Sequence, residues 1–184
     1  MMAAVCAMMM TSCEGGQNDP QKPQEDTTKV TVDTVAVAAL MDFEFAASTK
    51  MLDVFTLKVE YYDENSELKS LTFMGDTIAK KIITKGLPAK TGVRFTVEKK
   101  ADLDTTVVRE FESEFSFSYI TYAVNKAGER ANAWRYSGGR SGEPVKHSIS
   151  LLDRYLAAMA KDEAAAKVYE FDANGVATEK TWGE

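Results

Sequence analysis

The chain has 184 residues, of which 45% are hydrophobic and 27% charged, as in an ordinary soluble globular protein. Its formal net charge is -6 and no basic cluster interrupts the sequence, which argues against a nucleic-acid-binding protein. Cys6 and Cys13 are the only cysteines, so the chain beyond them can form neither a disulfide nor a cysteine-based metal site.

The chain opens with a short uncharged apolar segment that ends in Met10-Thr11-Ser12-Cys13 and turns polar at Glu14. The segment is too short to span a bilayer, which needs roughly 20 apolar residues, but it suits the hydrophobic region of a signal peptide. Its last four residues place an aliphatic residue and two small residues before a cysteine, and so resemble the lipobox of bacterial lipoproteins. The resemblance implies a signal peptide over residues 1–12 and lipid attachment at Cys13. The alternative is an apolar N-terminus on a cytosolic protein.

Residues 14–28 contain no aliphatic or aromatic side chain and cannot bury anything, so we predict disorder. Residues 13–28 are therefore interpreted as the lipidated cysteine and a flexible linker, which spans on the order of 20 Å. An acidic residue directly after the lipidated cysteine affects sorting in some Gram-negative bacteria. The lipid on Cys13 would hold the protein at the membrane, and Glu14 favours the outer membrane, with the periplasmic face and the cell surface both left open.

From Val30 the pattern changes to that of β-strands. Alternating apolar and polar residues predict strands at 30–37, 40–45, 78–84 and 93–97, a hairpin over 54–74, and one long strand over 111–121. The side chains predicted to carry the core are Phe55, Leu57, Val59, Phe95, Val97, Phe115, Phe117 and Tyr119.

Six or seven short strands with turn signals between them are typical of a β-sandwich, so the fold class is predicted as mainly β. The order and spacing resemble an immunoglobulin-like or fibronectin type III-like domain, which we place at residues 29–146. The chain has no cysteine pair around a core tryptophan, so the antibody-type subfamily is not supported.

The glycine-rich residues 127–146 are interpreted as a long loop. Apolar residues at helical spacing then predict a helix over 150–165, with Ser148 or Ser150 as N-cap. Residues 167–182 form a predicted terminal hairpin with Asn174-Gly175 at its turn. A short helix and an isolated hairpin are both marginal in water, so residues 147–184 are expected to pack on the sandwich.

No catalytic, cofactor or metal-binding residue is predicted. The single histidine, His147, is not accompanied by a nucleophile motif such as G-x-S-x-G. Glu112 and Glu114 lie on the polar side of the long predicted strand, where solvated carboxylates are ordinary. The acidic segments around Asp63 and Asp172 lack the spacing of a calcium-binding loop and are typical of turns.

The predicted ligand contacts are Trp134, Arg135, Tyr136 and Arg140, which lie in the glycine-rich segment. Aromatic faces stack on sugar rings, and Trp, Tyr and Arg are common in interface hot spots. The alternative is that Trp134 and Tyr136 close one end of the sandwich.

Three functions remain open at this point. The first is a non-catalytic, lipid-anchored module of the cell envelope that binds a glycan or a protein. The second is an assembly component that pairs through a sheet edge. The third and weakest is a hydrolase that uses two carboxylates.

Overall fold

The computed structural model describes residues 34–162 and 166–183, which belong to one compact unit. The predicted signal peptide, the lipid-attachment residue Cys13 and the linker lie outside the described residues. So do the first residues of the strand predicted at 30–37 and the end of the helix predicted at 150–165.

The described residues are mainly β, as predicted. The strands are β1 (Ala38–Ala47), β2 (Phe55–Tyr62), β3 (Leu68–Thr72), β4 (Ile78–Ile83), β5 (Ala89–Lys99), β6 (Glu110–Ser113), β7 (Phe115–Val124), β8 (Tyr136–Ser141), β9 (Val145–Ser148), β10 (Ala166–Phe171) and β11 (Ala177–Lys180). Sheet A has the strand order β4-β1-β7-β8, and sheet B has the order β11-β10-β5-β2-β3. Strands β6 and β9 form a separate two-stranded ribbon, and every pairing is antiparallel.

Sheets A and B pack against each other through the alternating apolar residues of their strands. The rings of Phe45 in sheet A and Phe95 in sheet B stack with centroids 4.3 Å apart. Two hydroxyl pairs also cross the interface, Thr91 with Thr121 at 3.2 Å and Tyr119 with Tyr169 at 2.9 Å. Seven of the eight predicted core side chains are buried, and the eighth, Val97, is half-buried at the margin.

The strand predicted over 111–121 is wrong in one respect, because it divides at Glu114 into β6 and β7. The loop predicted over 127–146 is also wrong, because it contains β8 and the first half of β9. Together the four strands form one bent hairpin, in which β7 pairs with β8 and β6 pairs with β9.

The bend follows from a mismatch between the two arms of this hairpin. Two residues separate Ser113 from Ser116, whereas three separate their partners Val145 and Ser141. One extra residue in one strand is a β-bulge, which bends the pair and increases its twist. The extra segment contains Pro144, which has no N–H to donate to the ladder.

The glycines of β8 are explained by what lies beneath them. A Cβ atom at Gly138 would lie 2.7 Å from Cε1 of the Tyr119 ring. At Gly139 it would lie 2.6 Å from the carbonyl oxygen of Phe117. Residues without a side chain therefore let β8 approach β7 closely, so these glycines belong to a strand rather than a flexible loop.

The predicted helix is present but shorter. A 3-10 turn, Ile149–Leu151, begins after Ser148, whose hydroxyl accepts a hydrogen bond from the Ser150 N–H. It leads into α1 (Leu152–Met159), which buries Leu152 and Met159 against the core. The apolar stripe ends at Met159, and the chain turns at Ala160 so that Asp162 pairs with Arg140.

The terminal hairpin is formed by β10 and β11, and its β10 strand pairs directly with β5 inside sheet B. The Asp172 carboxylate closes the turn by accepting the N–H groups of Asn174 at 2.8 Å and Val176 at 2.9 Å. Gly175 has φ 77°, a left-handed conformation that favours glycine. The C-terminal segment therefore extends the sheet itself.

Candidate functional site

A groove of about 450 Å³ lies where the β6–β9 ribbon, the end of β8 and α1 meet. Its volume falls within the usual range for ligand sites, roughly 300–1,000 Å³. The lining side chains that can form hydrogen bonds or ion pairs are Ser113, Arg140, Glu143, His147, Tyr155 and Asp162. We call this cavity the ribbon groove. Its lining residues come from parts of the chain that are far apart in sequence.

The ribbon places Ser113 and His147 side by side. Phe111 lies opposite His147 and Ser113 lies opposite Val145, so all four residues occupy one face of the ribbon. The Ser113 Oγ and the His147 Nε2 are 2.8 Å apart, a hydrogen bond whose donor depends on the imidazole tautomer. The His147 ring also stacks on Phe111 with centroids 4.9 Å apart, which fixes its orientation.

Tyr155 reaches the groove from α1. Its ring contacts Phe111 and Phe55, with centroid distances of 5.3 Å and 5.4 Å. Its hydroxyl is buried and makes no hydrogen bond to any described residue. Burial raises the pKa of Tyr155, while the nearby Arg140 charge and the Ser113 hydroxyl, which lies close but outside hydrogen-bonding geometry, act in the opposite direction. The hydroxyl is therefore neutral and keeps its proton, but it is enclosed in the groove wall.

Arg140 and Asp162 form an ion pair at the rim of the groove. The Arg140 guanidinium lies 5.6 Å from the centroid of the Phe115 ring, within range of a cation–π contact. About half of the Arg140 side chain is exposed, whereas the Asp162 side chain is largely buried. Together with Glu143, which also lines the groove, these residues make one cation and two carboxylates.

Of the four predicted ligand contacts, the structure places only Arg140 in the ribbon groove. Trp134 is 67% exposed, and Arg135 is exposed beside it, before β8. Tyr136 is half-buried against Tyr169, with ring centroids 4.7 Å apart, and its hydroxyl donates to the Ala177 carbonyl at 3.3 Å. Tyr136 thus fits the alternative of a side chain that closes the core, and Trp134 does not.

Two of the other acidic candidates, Glu112 and Asp63, have local partners. Glu112 pairs with Lys50 at 3.2 Å. Burial raises the pKa of Asp63, but hydrogen bonds from the Glu67 and Asn65 N–H groups and from Lys69 lower it below its usual value. Within residues 34–162 and 166–183, no three His, Cys, Asp or Glu side chains are grouped so that they could hold a metal ion.

Sequence reasoning missed Ser113 and Tyr155 as partners of His147. The residue pattern contains a usable signal, because Phe111-x-Ser113 and Val145-x-His147 both alternate like strands. That signal depends on pairing the two segments, and the interpretation of residues 127–146 as a loop concealed it.

Comparison with known proteins matches no family model, no curated protein and no solved structure. None of the helices in the described part of the chain is long and apolar enough to cross a membrane.

The groove offers hydrogen-bonding chemistry. A serine hydroxyl on the Nε2 atom of a histidine forms two parts of a catalytic triad, in which a carboxylate orients the imidazole. Among the described residues no carboxylate is hydrogen-bonded to His147, and stacking on Phe111 orients the ring instead. Ser113 and His147 can each donate or accept a hydrogen bond in the groove, and the Tyr155 hydroxyl lies buried in its wall.

Proposed function

We propose that the protein is a lipid-anchored module of the bacterial cell envelope that binds a glycan in the ribbon groove without transforming it. In this proposal the folded part is an immunoglobulin-like or fibronectin type III-like sandwich. It is held at the outer membrane of a Gram-negative bacterium by acyl chains on Cys13. The lipobox resemblance supports the anchor, and the ribbon groove supports the binding role.

The anchor rests on Met10-Thr11-Ser12-Cys13 and the polar sequence that follows. Each buried methylene of an acyl chain contributes about 0.8 kcal/mol to membrane binding, and stable anchoring takes at least two acyl chains or one chain with a second membrane-binding signal. Cys13→Ser removes the attachment atom, so the variant should leave the membrane fraction and lose metabolic labelling with an alkyne fatty acid. Equal membrane retention of both forms, with no label on the wild type, would contradict the anchor.

The Tyr155 hydroxyl is the observation that carries the binding role. Buried polar groups are hydrogen-bonded in the large majority of cases, and an unpaired one costs about 1–3 kcal/mol. Tyr155 lines the groove and its hydroxyl has no partner among the described residues. A ligand oxygen that reaches this hydroxyl after a small movement of the groove wall, and accepts its hydrogen bond, would recover that cost.

A glycan suits this groove better than an anionic ligand. The single cation among the lining residues, Arg140, is already paired with Asp162, and Glu143 adds a second carboxylate, so the groove has no excess positive charge to hold a phosphate or a carboxylate. Neighbouring hydroxyls of a sugar both donate and accept, which matches Ser113, His147 and Tyr155. The aromatic residues Phe115 and Tyr155 add apolar surface for the sugar ring.

The test is a glycan array probed with the full chain carrying Cys13→Ser, followed by calorimetry on the best hit. Tyr155→Phe should weaken binding by about tenfold, because one hydrogen bond of roughly 1.4 kcal/mol is lost. Tyr122→Phe is the matched control, since Tyr122 is a half-buried tyrosine of β7 outside the groove. Binding unchanged in Tyr155→Phe, or equally weakened in Tyr122→Phe, would exclude the ribbon groove as the site.

A further inference from the structure

The four edge strands of sheets A and B differ in how they are protected. An exposed edge presents unpaired N–H and C=O groups, and proteins commonly guard it with charged side chains, lysine above all. Exposed lysines occur on three of the edges, Lys69 on β3, Lys81 on β4 and Lys180 on β11. The fourth edge, β8, carries no lysine.

The one charged residue of β8 does not guard its edge. Arg140 lies over the Phe115 ring and pairs with Asp162, so its charge is directed to the ribbon groove. The other residues of β8 after Tyr136 are two serines and two glycines. After Tyr136, and apart from Arg140, β8 therefore presents no large side chain and no charge to an approaching strand.

The register shows which backbone groups of β8 face outward. The Gly142 N–H donates to the Phe115 carbonyl at 3.2 Å, so Gly142 faces β7 with its backbone groups. Hydrogen-bonded pairs alternate along an antiparallel ladder, so Arg140 and Gly138 also face β7. Ser137, Gly139 and Ser141 then direct their N–H and C=O groups away from the sheet.

Trp134 lies two residues before the start of β8, at one end of this edge. Its indole is two-thirds exposed, yet its backbone is held, because its N–H donates to the Asn132 Oδ1 atom at 3.1 Å. Asn132 in turn donates to the Gly175 carbonyl at 3.0 Å. A large exposed aromatic on a fixed backbone is the residue type that dominates protein interfaces.

We propose that β8 pairs antiparallel with β8 of a second copy of this chain, with Trp134 contacting that copy. Centred on Gly139, the pairing sets Ser137 of one copy opposite Ser141 of the other and joins two four-stranded sheets into one. The occupant is a second copy because the pairing is self-complementary. The outward-facing residues of each β8 meet the same set on the other copy, and each Arg140 lies opposite Gly138, so the two Arg140 charges do not face each other.

The test is sedimentation velocity of the full chain carrying Cys13→Ser, over a wide range of concentration. We expect a reversible monomer–dimer equilibrium in the micromolar range or weaker, since a pairing of six residues is small. Ser137→Lys should weaken the dimer by about tenfold or more, and Trp134→Ala should weaken it without lowering the melting temperature. Ala79→Lys, on the exposed edge of β4, is the control that should leave association unchanged.

A mixture of the Ser137→Lys and Ser141→Glu variants tests the alignment. Opposite charges then face each other across the pair, so the mixture should form a heterodimer more tightly than Ser137→Lys alone. A chain that stays monomeric at every concentration overturns the proposal. So does a dimer that tolerates Ser137→Lys as well as Ala79→Lys, or a mixture that shows no recovery.

Discussion

The terminal hairpin and strand β8 have very different amino-acid compositions. The terminal hairpin, β10 with β11, is marked by buried Val168, Tyr169 and Phe171 and by an Asn-Gly turn. Strand β8, the return arm of the bent hairpin, is marked by serines and glycines. Both regions form regular antiparallel strands, but the sequence pattern predicts only the terminal hairpin.

The difference lies in which side of each pairing supplies the buried surface. Strand β10 brings its own apolar side chains to the interior. Strand β8 instead lies on the rings and backbone of β7, which fill the space that its own side chains would occupy. A strand such as β8 shows no hydrophobic alternation, because the neighbouring strand supplies the buried apolar side chains.

The largest effect on stability should come from shortening the side chain of Phe171 in the terminal hairpin. Phe171 is buried, and removing a buried phenylalanine costs about 3–5 kcal/mol, a large part of a typical domain stability of about 5–15 kcal/mol. Phe171→Ala should therefore lower the melting temperature strongly. Val176→Ala, in the adjacent turn, should change it little, because Val176 is exposed. Equal melting temperatures would show that β10 does not hold the core.

An intermediate effect is expected from adding a single methyl group to β8. In Gly139→Ala the new Cβ would meet the Phe117 carbonyl oxygen at 2.6 Å, and a backbone atom in a central strand cannot move away cheaply. Overpacking of this kind costs about 1–3 kcal/mol. Gly142→Ala is the matched control, since a Cβ there has no atom within 4 Å. Chemical denaturation of both variants measures the contrast, and equal stabilities would mean that β8 is not packed on β7.

The smallest effect concerns acid and the turn of the terminal hairpin. Hydrogen bonds from the Val176 and Asn174 N–H groups lower the pKa of Asp172 below its usual 3.8. A lowered folded-state pKa means that the carboxylate stabilises the fold above that value and that this contribution is lost as the pH falls through the folded pKa. Asp172→Asn keeps an acceptor oxygen but cannot titrate, so its melting temperature should fall less steeply in acid. Parallel acid profiles for the two proteins would contradict this role.

Most of the fold could be predicted because most strands alternate apolar and polar residues, which indicates which of their faces is buried. Strand β2 alternates buried Phe55, Leu57 and Val59 with half-buried polar residues, and its hairpin with β3 follows directly. The bend at Glu114 could not be predicted, since the apolar alternation continues across it and only the extra residue in the partner strand produces it.

The candidate site was less predictable than the fold for the same reason. His147 was visible as the single histidine, but its neighbours Ser113 and Tyr155 come from a distant strand and from a helix. Their meeting depends on the ribbon, whose second strand carries little hydrophobic pattern. A site assembled from such a strand becomes visible only when the pairing is known.

Both the ribbon groove and the β8 edge depend on residues 136–141 being a strand and not a loop, and amide hydrogen exchange measured by NMR tests this most directly. At a concentration where the protein is monomeric, the amides of Gly138 and Arg140 should be protected, because they face β7. The amides of Ser137 and Gly139 should exchange quickly, because they face outward. Rapid exchange at all four amides would contradict the strand, and with it the account of the groove and of the edge.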